Sequence, residues 1–349
     1  MKQQVLQLLE KEISLNHLPG AVVQVMHKDE IILREAVGSR YNYNEKKAPM
    51  MLDTVFDLAS LTKVVATLPA VLKLIDEGEI RLDDPVTFFL PSFAANGKEE
   101  VKLRHLLTHT SGLPAHREYY KEELTKGSII NEIEQEELIG PIGANVVYSD
   151  LGFILLYHII EKVTDQLFNQ FLSEQFYKPL GMTETGFCPT FNRERYATTE
   201  YSEKLNDYKF GIVHDDNAES MSGMSGHAGL FSTIEDLTRF TQMIENEGIY
   251  NGKRLLTSAA LKLARSNFTE SNEDHRGLGW MRKSPTFASC GDYFSNESYG
   301  HTGFTGTSIW FDPSVHLNII LLTNRVHFGR DPHIIRLRPR LHNIIRSYF

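Results

Sequence analysis

Two kinds of apolar pattern divide the chain. The opening stretch MKQQVLQLLEKEISLNHLPG spaces its apolar residues for an amphipathic helix, interrupted by Glu10, Lys11 and Glu12. AVVQVMH and EIILREAVG are β-branched runs joined by the polar turn KDE, which predicts an antiparallel hairpin. TSIWFDP and LNIILLTN predict a second hairpin around Asp312 and Pro313, followed by a helix from about Ile334 to Tyr348. Strands and helices at both ends imply one antiparallel sheet built from distant segments and covered by the terminal helices. From Ser60 to about Leu180 the pattern is mainly helical. SLTKVVATLPAVLKLIDEG closes at Gly78, and YSDLGFILLYHIIEKVT starts behind Ser149 and Asp150 as possible caps. A later helix, STIEDLTRFTQMIENEG, has Ser232 and Glu235 at capping-box spacing and Gly248 as its stop. The expected fold class is α/β of the α+β kind, one unit made of residues 1–57 plus 205–349, with the mainly helical residues 58–204 inserted and a cleft between the two parts.

Composition narrows the partners. A net charge of −9 argues against nucleic acid and anionic membrane surfaces, for which a basic face would be expected. The longest apolar runs, LGFILL and LNIILLT, fall short of the roughly 20 residues of a membrane span. Small molecules or peptides remain. The first residues lack the apolar centre of a signal peptide, and Cys188 and Cys290 read as two free thiols, so the expected location is the cytoplasm.

One lysine does not fit the helical pattern. In FDLASLTKVV, Lys63 lies between Leu61 and the run Val64, Val65, Ala66, Leu68, in a segment apolar on nearly every face. Burying an ammonium without a partner is costly, so Lys63 either snorkels to water or is used. Helical spacing brings residues three apart onto one face, where the ammonium could reach the Ser60 hydroxyl and activate it as a nucleophile. Two further stretches accompany it: Tyr148-Ser149-Asp150, and His301-Thr302-Gly303 at the start of the C-terminal hairpin.

S-x-x-K at Ser60 and Lys63, a tyrosine triplet at Tyr148 and a T-G pair at Thr302 and Gly303, in this order, resemble the serine β-lactamase and penicillin-binding-protein superfamily. The likeness is to class C β-lactamases, D-alanyl-D-alanine carboxypeptidases and related esterases. LRHLLTHTSGLP, PLGMTET and AGLFSTIEDLTRF extend the resemblance over most of the chain. It implies a β-lactamase/transpeptidase-like fold and an acyl-enzyme formed on Ser60 without cofactor or metal. Lys63 would lower the cost of the alkoxide, with Tyr148 as companion base or proton shuttle. The implied oxyanion hole is the backbone N–H groups of Ser60 and Phe304. Implied substrates are peptidoglycan-derived peptides, with β-lactams as covalent ligands. The expected activity is an amide-cleaving serine hydrolase; the alternatives are a carboxylesterase on the same scaffold and a sensor that binds without turnover.

Two positions depart from the family pattern. His301 replaces the usual lysine, exchanging a fixed cation for a group largely neutral at pH 7, which puts recognition of a substrate carboxylate in doubt. Asp150 replaces asparagine: it could pair with Lys63 or cap a helix, but while ionised it cannot donate a hydrogen bond. Asn324 and Arg325, in LTNRVHFGRD with His327 and Arg330, could grip an anionic substrate or form a solvated loop. His105 and His109 have i, i+4 spacing but lack the zinc-protease glutamate and a third ligand, so they read as structural. The glycines of GMSGHAGLF read as a loop passing close to the cleft, and Glu132, Glu134, Glu136 and Glu137 as a solvated face.

Overall fold

The computed structural model describes residues 1–43, 46–269, 272–286 and 288–349. The chain opens with α1 (Lys2–Ser14) and the strands β1 (Gly20–His27), β2 (Glu30–Tyr43) and β3 (Lys46–Pro49). Next come β4 (Phe56–Asp57), α2 (Leu68–Asp76), α3 (Asp150–Thr164), β5 (Gly186–Phe187), β6 (Leu230–Ser232) and α4 (Ile234–Glu245). It closes with β7 (Met281–Arg282), β8 (Tyr299–Thr302), β9 (Ser308–Asp312), β10 (Leu317–Thr323) and α5 (His333–Arg346).

Among the described residues, seven strands form one antiparallel sheet in the order β7-β8-β9-β10-β1-β2-β3. The two ends of the chain meet at its centre, where Val22 pairs with Leu322 and Val23 with Leu321. Successive side chains alternate between faces, so these two pairs belong to different cores. Val23, Val25, Ile319 and Leu321 pack under α1 and α5, against Val5, Leu9, Leu337 and Leu341. Val22, Ile320, Leu322, Ile309 and Phe311 face the other way, into the core that holds α2, α3 and α4. Burial on both faces explains why these strands read as continuous apolar runs. A short sheet in the order β4-β6-β5 sits above the second core and leads into Ser60.

The predicted hairpins and terminal helices form as expected. Three local readings change. The segment that leads to α2 is a 3-10 turn over Ala59–Leu61 and a π-helical turn over Lys63–Thr67 before the α-helical part begins. Ser232 is not the cap of α4, because it pairs with Phe56 in β6; Thr233 takes the role and accepts the Asp236 N–H at 3.4 Å. The acidic run is not wholly solvated either. Glu134 is buried, and Glu136 receives Arg117 at 2.9 Å and the Tyr119 hydroxyl at 2.8 Å. Cys188 is exposed and Cys290 buried, both as free thiols. Among the described residues, no helix is long and apolar enough to cross a membrane.

Candidate active site

Ser60 lies where the chain leaves β4 and turns into the helical segment. Ala59, immediately before it, has φ of 46°, a left-handed conformation that costs an L-residue energy and persists only where its surroundings impose it. Asp57 is one such constraint. Its buried carboxylate accepts the Ala59 N–H at 2.8 Å and the His214 N–H at 2.7 Å. Burial pushes the Asp57 carboxyl up despite those two amide donors. A second constraint comes from the turn after β8, where Thr305 and Thr307 donate to the carbonyl oxygens of Asp57 and Leu58 at 2.8 and 3.0 Å.

Gly303 makes that contact possible. A Cβ there would overlap the Thr307 hydroxyl and lie 2.5 Å from the Leu58 carbonyl oxygen. Gly303→Ala is expected to cost about 1–3 kcal/mol through overpacking and to displace the Ser60 turn. Thermal melts should therefore shift down; an unchanged melting temperature would contradict this packing account.

Lys63 is fully buried and does not snorkel. Its Nζ donates to Ser60 Oγ at 3.1 Å, to Asp150 Oδ1 at 2.7 Å and to the His227 carbonyl at 3.4 Å. The Tyr148 ring centroid is 4.7 Å from the same nitrogen, a cation–π distance. Burial pulls the Lys63 pKa down, but Asp150, with a smaller contribution from Tyr148, more than offsets it, and the net direction is up. For Asp150, burial works against the charge, and Lys63, His116 and His227 together hold the carboxyl well below its usual range. The pair is therefore ionised at neutral pH. Of the two roles the sequence leaves open for Asp150, the structure shows the ion pair.

The triplet Tyr148-Ser149-Asp150 is positioned from behind. His109 Nδ1 accepts the Ser149 N–H at 3.0 Å, and the Ser149 hydroxyl donates to the Pro114 carbonyl at 2.6 Å. His109 is buried, with its ring 4.5 Å from that of Tyr148, and burial holds its pKa well below the ordinary value. His105 instead accepts the Lys102 N–H at 3.1 Å. Both histidines thus serve the backbone, as their spacing without a third ligand suggests.

A cavity of about 400 Å³ opens over Ser60, lined also by Tyr148, Asp150, Phe304, His116, Glu118, Tyr120, His214, Asp215, Asp216 and Arg330. Besides Lys63, which is buried beneath Ser60, five of the sequence candidates do not line it. His301 is buried behind Tyr148, ring centroids 6.0 Å apart, with Nδ1 against the Thr302 carbonyl at 2.9 Å. Its pKa is held well below the ordinary value by burial and by the charges of Lys63 and Arg276, so it is neutral at pH 7. Thr302 and Gly303 belong to the strand and turn that brace the Ser60 segment, as described for Gly303. Asn324 donates to the Arg40 and Thr198 carbonyls at 2.9 and 3.0 Å. Arg325 donates through Nε to the Phe304 carbonyl at 2.8 Å and through Nη1 to the Asp331 carbonyl at 2.6 Å. These two residues are committed to backbone, and Arg330 is the cation of that loop which reaches the cavity, paired with Glu200 at 3.0 Å.

Sequence reading missed the acidic side of the cavity. Asp215 Oδ1 pairs with His227 Nε2 at 2.9 Å, and His227 Nδ1 meets the Ser225 hydroxyl at 2.8 Å. The ligand atoms of Asp150, Asp215 and His227 lie within 4.8 Å of one another, a spacing that can suit a cation. Here the Lys63 ammonium lies against Asp150 and supplies positive charge. Asp215 also caps the short helix that follows it, accepting the Ala218 N–H at 2.8 Å. The reading of GMSGHAGLF as a closely packed loop fits better: a Cβ on Gly226 would overlap the Phe153 carbonyl oxygen, and Thr67 donates to the Gly226 carbonyl at 2.6 Å.

A sheet built from both chain ends, helices on both faces and a serine-lysine pair under a cleft define a serine-hydrolase type of protein. The family model described as Beta-lactamase matches residues 6–342. The chain belongs to the β-lactamase family, and it is a hydrolase of the β-lactamase and penicillin-binding-protein type. It is 33% identical over 349 residues to an Escherichia coli protein named as a candidate D-alanyl-D-alanine carboxypeptidase, covering 88% of this chain and 79% of that one. It is also 33% identical over 360 residues to the N-acetylmuramyl-L-alanine amidase of Bacillus subtilis, covering 92% and 80%. The solved structure of EstCE1, a hydrolase with promiscuous acyltransferase activity, superposes with a TM-score of 0.78 at 22% identity over 98% of each chain.

Proposed function

We propose that the protein cleaves an amide bond in small cell-wall-derived peptides through an acyl-serine intermediate on Ser60. The observation that carries the reading is the Lys63 ammonium, fully buried, 3.1 Å from Ser60 Oγ and held by Asp150. An ammonium in that position stabilises negative charge developing on the serine oxygen in a site where water screens little. The names of the two relatives at 33% identity refer to D-alanyl-D-alanine and N-acetylmuramyl-L-alanine bonds, which are amides of wall peptides.

In this reading Ser60 Oγ bonds to the substrate carbonyl carbon while the carbonyl electron pair moves onto oxygen, facing the N–H groups of Ser60 and Phe304. Tyr148 takes the Ser60 proton on its oxygen as it passes its own proton to the leaving nitrogen. The C–N bond breaks and the amine departs. Water then repeats the sequence on the acyl-serine ester and releases the acid. The amides flanking the proposed hole are already committed, Ala59 to Asp57 and Gly303 to the Thr307 carbonyl at 2.7 Å.

A carboxylesterase on the same residues is the second reading, favoured by the neutral, buried His301 and by a cavity lined with Glu118, Asp150, Asp215 and Asp216. Both features remove positive charge from where a substrate carboxylate would otherwise be attracted. Acid-quenched turnover of p-nitrophenyl acetate, followed by peptide mapping, tests the shared mechanism: an acetyl group is expected on Ser60. Turnover with the acyl group elsewhere, or with none, would overturn it. A panel of a D-alanyl-D-alanine peptide, an N-acetylmuramyl-L-alanyl peptide and neutral esters then separates the two readings, with faster amide cleavage expected.

A further inference from the structure

Arg338 is a buried cation on α5 that none of the steps above uses. It is 6% exposed, and among the described residues it forms no ion pair with a carboxylate. Its Nη2 donates to the carbonyls of Gly303 at 2.9 Å and Thr307 at 3.0 Å, while Nε is buried without a partner. Burial, with Arg325 close by, pulls the guanidinium down to about 9, so it remains charged at neutral pH. Such an uncompensated charge is costly, and two backbone carbonyls alone are a weak reason for it.

The Gly303 carbonyl is half of the peptide group whose N–H belongs to Phe304. The described chain contains no cis peptide bond, so the carbonyl and N–H of this group point in opposite directions. Fixing the carbonyl on Arg338, on the α5 side, turns the Phe304 N–H away from that helix, and Phe304 lines the cavity with Ser60. A charged donor on the carbonyl also draws electron density from the amide nitrogen and makes its hydrogen a stronger donor. The other peptide of the proposed hole is arranged alike: the Ala59 carbonyl, bonded to the Ser60 nitrogen, accepts the Thr62 hydroxyl at 2.7 Å.

We infer that Arg338 is a positioning residue for the oxyanion hole, orienting and polarising the Gly303–Phe304 peptide through its carbonyl. The inference rests on the acyl-serine reading. The test compares p-nitrophenyl acetate with its thiono analogue, O-(p-nitrophenyl) thionoacetate, whose developing sulfur anion accepts hydrogen bonds poorly. Removing a direct oxyanion donor costs roughly 10²–10³-fold, so Arg338→Met, which weakens one donor, should lower kcat/KM for the oxygen ester about tenfold. The thionoester should lose less than about twofold, a split that mere loosening of the fold would not produce. Arg338→Lys, which keeps a charge near the Gly303 carbonyl, should recover part of the oxygen-ester rate.

Equal losses on both esters, or no loss on either, would overturn the inference. If Arg338→Met does not reach the wild-type circular-dichroism spectrum, Arg338→Lys carries the comparison. Failure of both to fold would make Arg338 a folding residue and also overturn it. The outcomes stay separable from those of the underlying reading: absence of an acetyl group on Ser60 removes both, whereas an acetyl-Ser60 with an unchanged ester ratio removes only the role of Arg338.

Discussion

Lys63→Met is expected to lower kcat/KM for an activated ester by about 10³-fold, inside the 10²–10⁴ range of proton-transfer and charge-stabilising groups. The side chain that replaces the ammonium fills similar space but leaves Ser60 Oγ with no charge at 3.1 Å. It also leaves Asp150 without its 2.7 Å partner. Breaking one side of a buried ion pair costs about 3–5 kcal/mol, so the variant should melt well below wild type as well as react slowly. The double variant Lys63→Met/Asp150→Asn separates the two effects. Removing both charges should restore most of the melting temperature and none of the activity, because the pair is worth little to stability once neither charge is left alone. Activity that returns along with stability would show that Lys63 only supports the fold.

What the sequence made legible follows from the physics of each feature. Strand runs and terminal helices obey periodicities of two and 3.6 residues, and both hairpins and the helix near residue 334 are found where those periods place them. Ser60 and Lys63 were legible because an ammonium in an apolar stretch demands an explanation. The acidic wall was not. Asp215 and His227 reach the site through loops, where no repeat marks which side chain turns inward, and a capping aspartate looks the same whether or not it also faces a cavity. Arg325 and Asn324 illustrate the opposite error. Polar residues after a strand suggested a ligand grip, yet both are buried and spent on backbone carbonyls that an irregular loop leaves unsatisfied. Arg338 was invisible for a related reason: within RLRPRLHNIIR it is one basic residue among several on a helix, and only the fold brings it against Gly303.

Asp150→Asn, which restores the residue usual in the resembled family, should change the pH dependence of the enzyme and the sign of that change identifies what Lys63 does. Lys63 is raised above its ordinary 10.5 and Asp150 lowered below its ordinary 3.8. The stability contributed by the pair is therefore complete between those two values. It is lost on the acid side as pH falls through the depressed Asp150 pKa, and on the alkaline side as pH rises through the raised Lys63 pKa. Without the carboxylate, the largest influence on Lys63 is burial, which favours the neutral amine. Its pKa then falls, and each pH unit above the new value removes a further factor of about ten in the ammonium population. If the ammonium is the reacting form, turnover by the variant should decline with rising pH from a point where wild type is still flat. Its thermal stability should instead rise with pH between the lowered Lys63 pKa and the ordinary lysine value, because over that range the unfolded chain binds the proton that the buried amine gives up. His116, whose pKa Asp150 raises, faces the same carboxylate and would add its own limb. Repeating the profile in His116→Gln/Asp150→Asn removes that contribution, and Asp215 with its partner His227 is unchanged in both proteins. A variant whose turnover instead climbs with pH would assign Lys63 the role of neutral base. Asp150 would then hold wild type in a resting form that must lose a proton before Ser60 can react.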